Sequence, residues 1–288
     1  MKRLVILMAL GAGSLLAAGA DAQAPPASGG TPGSTAAPAQ GQGSNQSKIA
    51  EVASKDVAAT GFEDPNSPFE KADTTYRFIG ARFRYVIVPK FYMGLFGDGG
   101  TTAGVPAFGP EFTLRKNGFE YVMSVMYASY SIDPTPFKAK TDGPEAWEIV
   151  DTSVKTLYFM SDFLWSAETS PKFAFLYGGG FGLAAVFGDI HRQQAYPGMG
   201  GNVNDPYSYI ACPRAGAHMF CGTDNNHYGD YTEPSWANGG SKPILFPWLS
   251  LQTGFRFKPH KQFMARVDIG WNILNGPFFG LALNYGLL

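Results

Sequence analysis

Residues 173–188 read FAFLYGGGFGLAAVFG, a stretch in which large apolar side chains recur on one parity. That parity carries Phe173, Phe175, Tyr177, Phe181, Leu183 and Phe187, and the other holds mainly Ala and Gly. A period of two is typical of a β-strand whose two faces meet different surroundings. The stretch has 16 residues, against about 5–6 for a strand in a soluble protein. It predicts a long strand with one bulky apolar face and one small face.

The same alternation recurs from Thr74 to the end of the chain. It predicts eight strands, at about 76–89, 105–115, 119–132, 154–167, 173–188, 245–257, 262–272 and 278–287. Short turns at 116–118, 166–172 and 259–262 alternate with longer connections at 90–104, 133–153 and 189–244. An even number of long strands, with short turns on one side and long loops on the other, is typical of a transmembrane β-barrel.

The predicted fold is therefore all-β: an eight-stranded antiparallel transmembrane β-barrel with short periplasmic turns and long extracellular loops. Ten strands are an alternative count. A soluble barrel or sandwich, with the bulky face turned inward, is the alternative architecture. The many Gly and Ala residues on the polar face favour the membrane barrel, because the interior of a narrow barrel holds only small or paired side chains.

Composition excludes several other classes of protein. Charged residues make up 16% of the 288 residues and aromatic residues 15%, with a formal net charge of −1. This balance does not fit a disordered chain or a nucleic-acid-binding protein. Two cysteines cannot build a disulfide-rich scaffold. A mean hydropathy of −0.09 excludes a bundle of membrane-spanning helices.

The N-terminus has the features of an export signal. Lys2 and Arg3 precede an apolar run at 4–18, and small residues follow at 20–22. This pattern predicts a signal peptide over 1–22, cleaved after Ala22, with a retained membrane anchor as the alternative. Residues 23–73 are predicted to be a flexible periplasmic linker, in which 48–59 form either a docked short helix or a transient one. The barrel itself is assigned to 74–288.

Signal peptide, eight alternating strands and the final alternation at 279–287 together resemble the small eight-stranded members of the bacterial outer-membrane β-barrel class, of the OmpA-like and OmpW-like kind. The resemblance covers roughly 74–288 and is one of pattern. It implies location in the bacterial outer membrane and contact with outer-membrane lipid and lipopolysaccharide. It also implies insertion by the outer-membrane assembly machinery, which reads the last strand. The outward parity ends on Leu287, where the class usually has an aromatic residue.

Charged residues on the inward parity are balanced. Four are basic and four acidic: Arg82, Arg84, Glu111, Glu120, Asp162, Arg256, Arg266 and Asp268. The first and last strands meet when the barrel closes, so Arg82 and Arg84 are expected near Asp268 and Glu111. Charges in a narrow interior must pair, because an unpaired one is costly. The set predicts a closed, salt-bridged lumen, and a gated or proton-conducting relay is the alternative.

Both cysteines lie in the longest loop, at 189–244. Cys212 and Cys221 are predicted to form a disulfide after export through an oxidising compartment, with a thiol metal site as the alternative. Residues 224–235 resemble the start of a calcium loop, although position twelve is Ser235 instead of Glu, and a turn-rich surface loop is the favoured interpretation. No metal and no cofactor are expected.

The sequence has no recognisable catalytic motif, and no catalytic residue is expected. The predicted role is structural, or recognition of an extracellular ligand through loops 133–153 and 189–244, with no nucleic-acid partner. A narrow, porin-like channel for small or hydrophobic solutes is the first alternative. The second is a membrane enzyme that modifies lipid A, using His191 and Asp189 with Ser129 or Ser131.

Overall fold

The computed structural model describes residues 70–95, 97–222 and 244–287. The predicted signal peptide, most of the predicted linker with its helix at 48–59, and the calcium-like stretch at 224–235 lie outside these residues. Among the residues that the structure describes, no helix is long and apolar enough to cross a membrane.

Eleven β-strands and one short helix make up the described chain. The strands are β1 (Tyr76–Val88), β2 (Gly97–Gly99), β3 (Ala103–Lys116), β4 (Phe119–Ala139), β5 (Glu148–Glu168), β6 (Phe173–Phe187), β7 (Ile190–Pro197), β8 (Tyr209–Ala211), β9 (Leu245–His260), β10 (Phe263–Asn272) and β11 (Gly276–Leu287). Helix α1 (Lys90–Gly94) lies between β1 and β2, and single 3-10 turns occupy Pro144–Ala146 and Pro206–Ser208.

Eight of the strands close on themselves. Their order around the ring is β4-β3-β1-β11-β10-β9-β6-β5, and β5 pairs with β4 to complete it. All neighbours are antiparallel, as in the pairs Phe83 with Leu281 of β1 and β11 and Val125 with Phe159 of β4 and β5. The predicted eight-stranded antiparallel barrel is therefore confirmed, and ten barrel strands is wrong.

The two parities of each barrel strand face different surroundings. On β6 the side chains of Phe173, Phe175, Phe181 and Leu183 are exposed, whereas Ala174, Leu176 and Ala184 are buried. The other barrel strands also expose large apolar residues on one parity and bury mostly small, polar or charged residues on the other. The bulky face thus points outward and the small face lines the lumen.

One end of the barrel carries the short connections 117–118, 169–172 and 261–262, and is called the turn end. Asn117 and Gly118 both have positive φ, at 49° and 78°, as the predicted tight turn requires. The opposite end is called the loop end. The N-terminal end of β1 and the C-terminal end of β11 both lie at the turn end, so the chain enters and leaves the barrel there.

All three predicted long loops, at 90–104, 133–153 and 189–244, contain regular structure in their described residues. The 133–153 stretch is largely strand, because β4 and β5 stay paired beyond an irregularity between Ile132 and Thr135 as far as Phe137 and Glu148. The 189–244 stretch contributes β7, which pairs with β5, and β8, which pairs with β7. Short β2 adds to the other side of β4. Predicting plain loops here was wrong, since these residues form a five-stranded sheet, the loop-end sheet.

Candidate functional site

The eight charged residues predicted for the lumen are all buried inside the barrel, each no more than 2% exposed. They come from six strands: Arg82 and Arg84 from β1, Glu111 from β3, Glu120 from β4, Asp162 from β5, Arg256 from β9, and Arg266 and Asp268 from β10. Because their strands surround the lumen, several contacts between them, such as Arg82 with Asp162 and Arg266 with Glu111, connect strands that share no backbone hydrogen bonds.

Arg82 is the centre of this network. Its Nη1 donates to the carboxylate of Asp162, and its Nη2 donates to Asp268 at 2.6 Å. Its Nε lies 3.8 Å from a carboxylate oxygen of Glu111. One guanidinium therefore links β1 to β5, β10 and β3. Buried charges are tolerated where such partners compensate their lost hydration, so this level of the lumen depends on Arg82.

Two further arginines span the lumen. Arg266 donates from Nη2 to both carboxylate oxygens of Glu111, at 2.9 and 2.7 Å. Arg256 donates from Nη1 to Glu120 at 2.7 Å. In the ring, β11 and β1 lie between the β10 and β3 strands of the first pair, and β6 and β5 lie between the β9 and β4 strands of the second. These ion pairs fill the lumen with side chains and hold opposite walls together.

Arg84 lies at the boundary of the charged layer on its loop-end side. Its Nη2 lies 3.2 Å from Asp162 and also donates to the side-chain oxygen of Gln252. Its guanidinium carbon lies 4.3 Å from the centre of the Phe278 ring, in cation–π geometry. Gln252, a neutral member that the sequence did not single out, joins Arg84 to Arg82, since its oxygen also accepts from Arg82 at 3.2 Å.

Close backbone approach by glycine makes room for the two aspartates. A Cβ atom built on Gly180 would lie 1.9 Å from Oδ1 of Asp162, and one on Gly280 would lie 1.8 Å from Oδ1 of Asp268. Neither distance is physically possible without displacing the carboxylate. The small inward parity is therefore required by the ion pairs as well as by the narrow bore.

Three lumen charges were missed by the sequence prediction. Arg115 donates from Nη1 to Glu120 at 2.7 Å and from Nη2 to Glu168 at 2.5 Å. Glu168 also accepts from Arg256 at 2.8 Å. Lys258, whose side chain is 1% exposed, donates to Glu70. The charged layer thus extends to the turn end.

Strand parity was the signal that could have found these three. Arg115 shares the parity of Glu111, Glu168 that of Asp162, and Lys258 that of Arg256. Glu168 and Lys258 lie one residue beyond the predicted strand ends at 167 and 257. Glu70 was also missed, and it had no such signal because it precedes β1.

Glu70 has a shifted titration. Burial raises the pKa of its carboxyl, but the positive charges of Arg115 and Lys258, together with their hydrogen bonds, outweigh burial and lower the pKa below its ordinary 4.5. Other polar side chains at this mouth include Glu168 and Glu120, which share Arg115, and Tyr76, whose ring lies 5.2 Å from Lys258 Nζ.

This lowered pKa predicts a pH dependence. A carboxyl with a lowered folded-state pKa adds stability above its unfolded pKa and loses it as the pH falls through the folded value. We therefore expect the difference in unfolding free energy between the wild type and Glu70→Gln to shrink as the pH is lowered below 4.5. Urea unfolding of both proteins at a series of pH values measures it. A difference that stays constant or grows toward acid would contradict the assignment.

An apolar layer closes the lumen at the loop end. Its members include Met126, Tyr130, Tyr158, Val186, Phe246, Trp248 and Phe278, all buried. Trp248 meets the Tyr158 ring edge-on at 4.2 Å, Tyr130 and Tyr158 share a hydroxyl hydrogen bond, and Asn275 donates to Tyr130 at 2.7 Å. The lumen therefore has two stacked layers, charged toward the turn end and apolar toward the loop end. The second was not predicted.

Above the barrel, the loop-end sheet has a small core of its own. Trp147, Ala195 and Tyr209 are buried together, with Ile149 and Phe220 packed against them. Arg192 of β7 forms an ion pair with Glu148 of β5. Lys138 of β4 donates to Asp98 of β2 at 2.7 Å. The sheet is thus a packed unit rather than a set of separate loops.

The structure contains the Cys212–Cys221 disulfide, and both cysteines are buried. It encloses a short loop in which His218 stacks on Tyr196 at 4.8 Å. In the described part of the chain, no group of three or more His, Cys, Asp or Glu side chains is placed to hold a metal ion.

Removing this disulfide is expected to loosen the loop-end sheet locally. Cross-links that close short loops contribute about 2–3 kcal/mol, mainly by restricting the unfolded chain. In the Cys212→Ser/Cys221→Ser variant, hydrogen exchange should therefore rise in residues 190–222, while the strands of the barrel keep their protection. Mass-spectrometric exchange measures both regions in one experiment. Equal loss of protection in β1 and β11 would show instead that the disulfide supports the whole barrel.

The residues of the lipid A alternative lie at the loop end. Ser129 and Ser131 are on the outward parity of β4, opposite Lys155 and Ser153 of β5. His191 of β7 pairs in register with Asp151, and the backbone oxygen of Asp189 accepts from Ser153. The two serines therefore face away from the lumen.

No family model matches this chain, and no curated protein matches it. Among solved structures, the chain is similar to Neisserial surface protein A (8% identity, TM-score 0.38, covering 75% of this chain and 99% of that one). It is also similar to Ail, the attachment invasion locus protein of Yersinia pestis (12%, 0.35, 74% and 97%). A third similar structure is the N-terminal β-barrel domain of Pseudomonas aeruginosa OprF (8%, 0.27, 74% and 97%).

Proposed function

We propose that this chain is an integral protein of the bacterial outer membrane, in direct contact with outer-membrane lipid and lipopolysaccharide. The observation that carries the proposal is the outer surface of the barrel. Every barrel strand exposes large apolar side chains on its outward parity, as β11 does with Phe279, Leu281, Leu283 and Tyr285. Contiguous apolar surface that surrounds a molecule is not compatible with water, whereas a lipid bilayer requires it.

Aromatic contacts near the turn end support the same assignment. Phe119 lies 5.6 Å from Trp165, and Phe173 lies 4.8 Å from Phe257, measured between ring centres. Both pairs are outside the barrel, on strand ends beside the short turns. Aromatic rings concentrate at the depth of the lipid headgroups, so these pairs mark one edge of the membrane.

We propose a non-catalytic role without a cofactor, in which the loop-end sheet recognises an extracellular ligand or stabilises the cell envelope. Two observations favour this role over conduction. The charged and apolar layers both fill the lumen, and the loop-end sheet and its connecting segments expose Met199, Tyr207, Ile210 and Met219. Exposed Met and aromatic side chains on a packed scaffold are typical of interaction surfaces.

Several measurements test the proposal. The folded protein should migrate differently on gels before and after heating, and it should fractionate with the outer membrane. On intact cells, a membrane-impermeant thiol reagent should label Met199→Cys, whereas Ala72→Cys at the turn end should require permeabilised cells. Planar bilayers with purified protein should show no large, stable conductance. Such a conductance would favour the narrow channel instead, and a protein-dependent change in lipid A mass would favour the enzyme.

A further inference from the structure

The first described residue reaches back into the barrel. One carboxylate oxygen of Glu70 accepts from Nε of Arg115 on β3 at 2.6 Å, and the other accepts from Nζ of Lys258 on β9. In the ring of eight strands, β3 and β9 are directly opposite each other. A single carboxylate therefore bridges the full width of the turn-end mouth.

The Glu70 contact matters for the balance of charges in the lumen. In the described strands, the charged layer holds six cations: Arg82, Arg84, Arg115, Arg256, Lys258 and Arg266. The same layer holds five carboxylates: Glu111, Glu120, Asp162, Glu168 and Asp268. The barrel wall alone thus leaves one positive charge uncompensated. Glu70, which belongs to no strand, supplies the sixth carboxylate.

Further polar contacts hold the segment that carries Glu70. The backbone N–H of Lys71 donates to the hydroxyl of Tyr76 at 2.8 Å, and Nζ of Lys116 lies 3.7 Å from the carboxylate of Asp73. The backbone N–H of Asp73 donates to the side-chain oxygen of Asn117, and the side-chain nitrogen of Asn117 donates to Asp73, both at 2.9 Å. Residues 71–75 are otherwise exposed, so no apolar surface is buried to hold them. A segment held by polar contacts alone is among the first parts of a fold to open.

We propose that residues 70–73 form a detachable strap across the turn-end mouth, and that Arg115 and Lys258 form a carboxylate-binding site that the strap occupies. When the strap leaves, this pair is exposed as a cationic site that a carboxylate from outside the barrel can fill. The strap and its site lie at the turn-end mouth and do not depend on the function of the loop end.

Limited proteolysis tests the strap. Trypsin cleaves after Lys71 only when the strap opens, and the product beginning at Ala72 identifies the cut by mass. Glu70→Gln removes the charge without changing the size of the side chain, so cleavage at this bond should rise about tenfold. Glu168→Gln is the matched control, because it removes a carboxylate from the same Arg115 but leaves Glu70 in place. Cleavage in that variant should remain at the wild-type rate.

Equal cleavage in the wild type and Glu70→Gln would overturn the strap. Should Glu70→Gln fail to fold, Glu70→Gln/Lys258→Gln restores the balance of charges and takes the same test. The double variant should also unfold at higher urea concentration than Glu70→Gln alone, because no buried cation is left without a partner.

Chemical rescue tests the carboxylate site. In Glu70→Ala, added acetate should raise the unfolding midpoint relative to the same concentration of chloride, because it binds the folded state between Arg115 and Lys258. The wild type should show no such difference, since Glu70 already occupies the site. Cleavage after Lys71 should stay fast in acetate, because the free anion does not reattach the strap. An equal acetate effect on both proteins would overturn the site.

Discussion

Replacing Arg82 by Met is expected to lower the free energy of unfolding by about 3–5 kcal/mol, the largest effect of any single substitution in the lumen. Met approximates the volume of the arginine stem but has no charge. Asp162 and Asp268 would then lose a donor each, and both are buried with almost no access to water. Equilibrium unfolding in urea from lipid vesicles measures the loss.

Arg77→Met is the matched control for this prediction. Arg77 lies on the same strand and carries the same side chain, but it is exposed on the outward parity near the turn end. Replacing it should change the unfolding free energy by less than about 1 kcal/mol. If both variants lost the same stability, the network around Arg82 would contribute nothing beyond an ordinary surface arginine.

The second large effect is expected on the outside. Leu281→Arg places a charge at the middle of β11, opposite Phe83 and Val267 on the neighbouring strands. In a bilayer this position is close to the midplane, where an arginine costs about 2–4 kcal/mol. Unfolding from lipid vesicles should show that loss, because the guanidinium is forced into hydrocarbon.

Leu287→Arg tests whether depth in the membrane causes the loss of unfolding free energy. Leu287 lies on the same face of the same strand, but at the turn end, where the cost of an arginine falls to about 0–1 kcal/mol. A clear difference between the two variants supports insertion in a membrane. Two small, equal effects, with better solubility in water, would support the soluble barrel instead.

Much of the barrel was accessible from alternation alone. The parity of residues 173–188 predicted which side chains of β6 would face outward, and the same rule placed Arg82 and Asp268 inside. The rule works because the side chains of a strand alternate strictly between two faces. Closure of the barrel then brings inward charges together, whatever their separation in sequence.

Other features could not be predicted, for three physical reasons. Glu70 belongs to no strand, so the two-residue alternation of the strands could not predict that it contacts Lys258. The apolar layer around Tyr158 and Trp248 was not predicted, because counting charges along the inward parity ignores what fills the space between them. The loop-end sheet was missed because the predicted strands stopped at 132 and began again at 154, yet pairing resumes after the irregularity between Ile132 and Thr135.

The position of Arg82 in the chain has a consequence for assembly. Asp162 follows it by 80 residues and Asp268 by 186, so its last partner arrives only with β10. A sheet that has not yet closed leaves charges of the lumen without partners, and each such ion costs several kcal/mol when it is buried. Partly closed barrels carry this free-energy cost, whereas the closed ring does not. The lumen charges therefore make closure an all-or-none event.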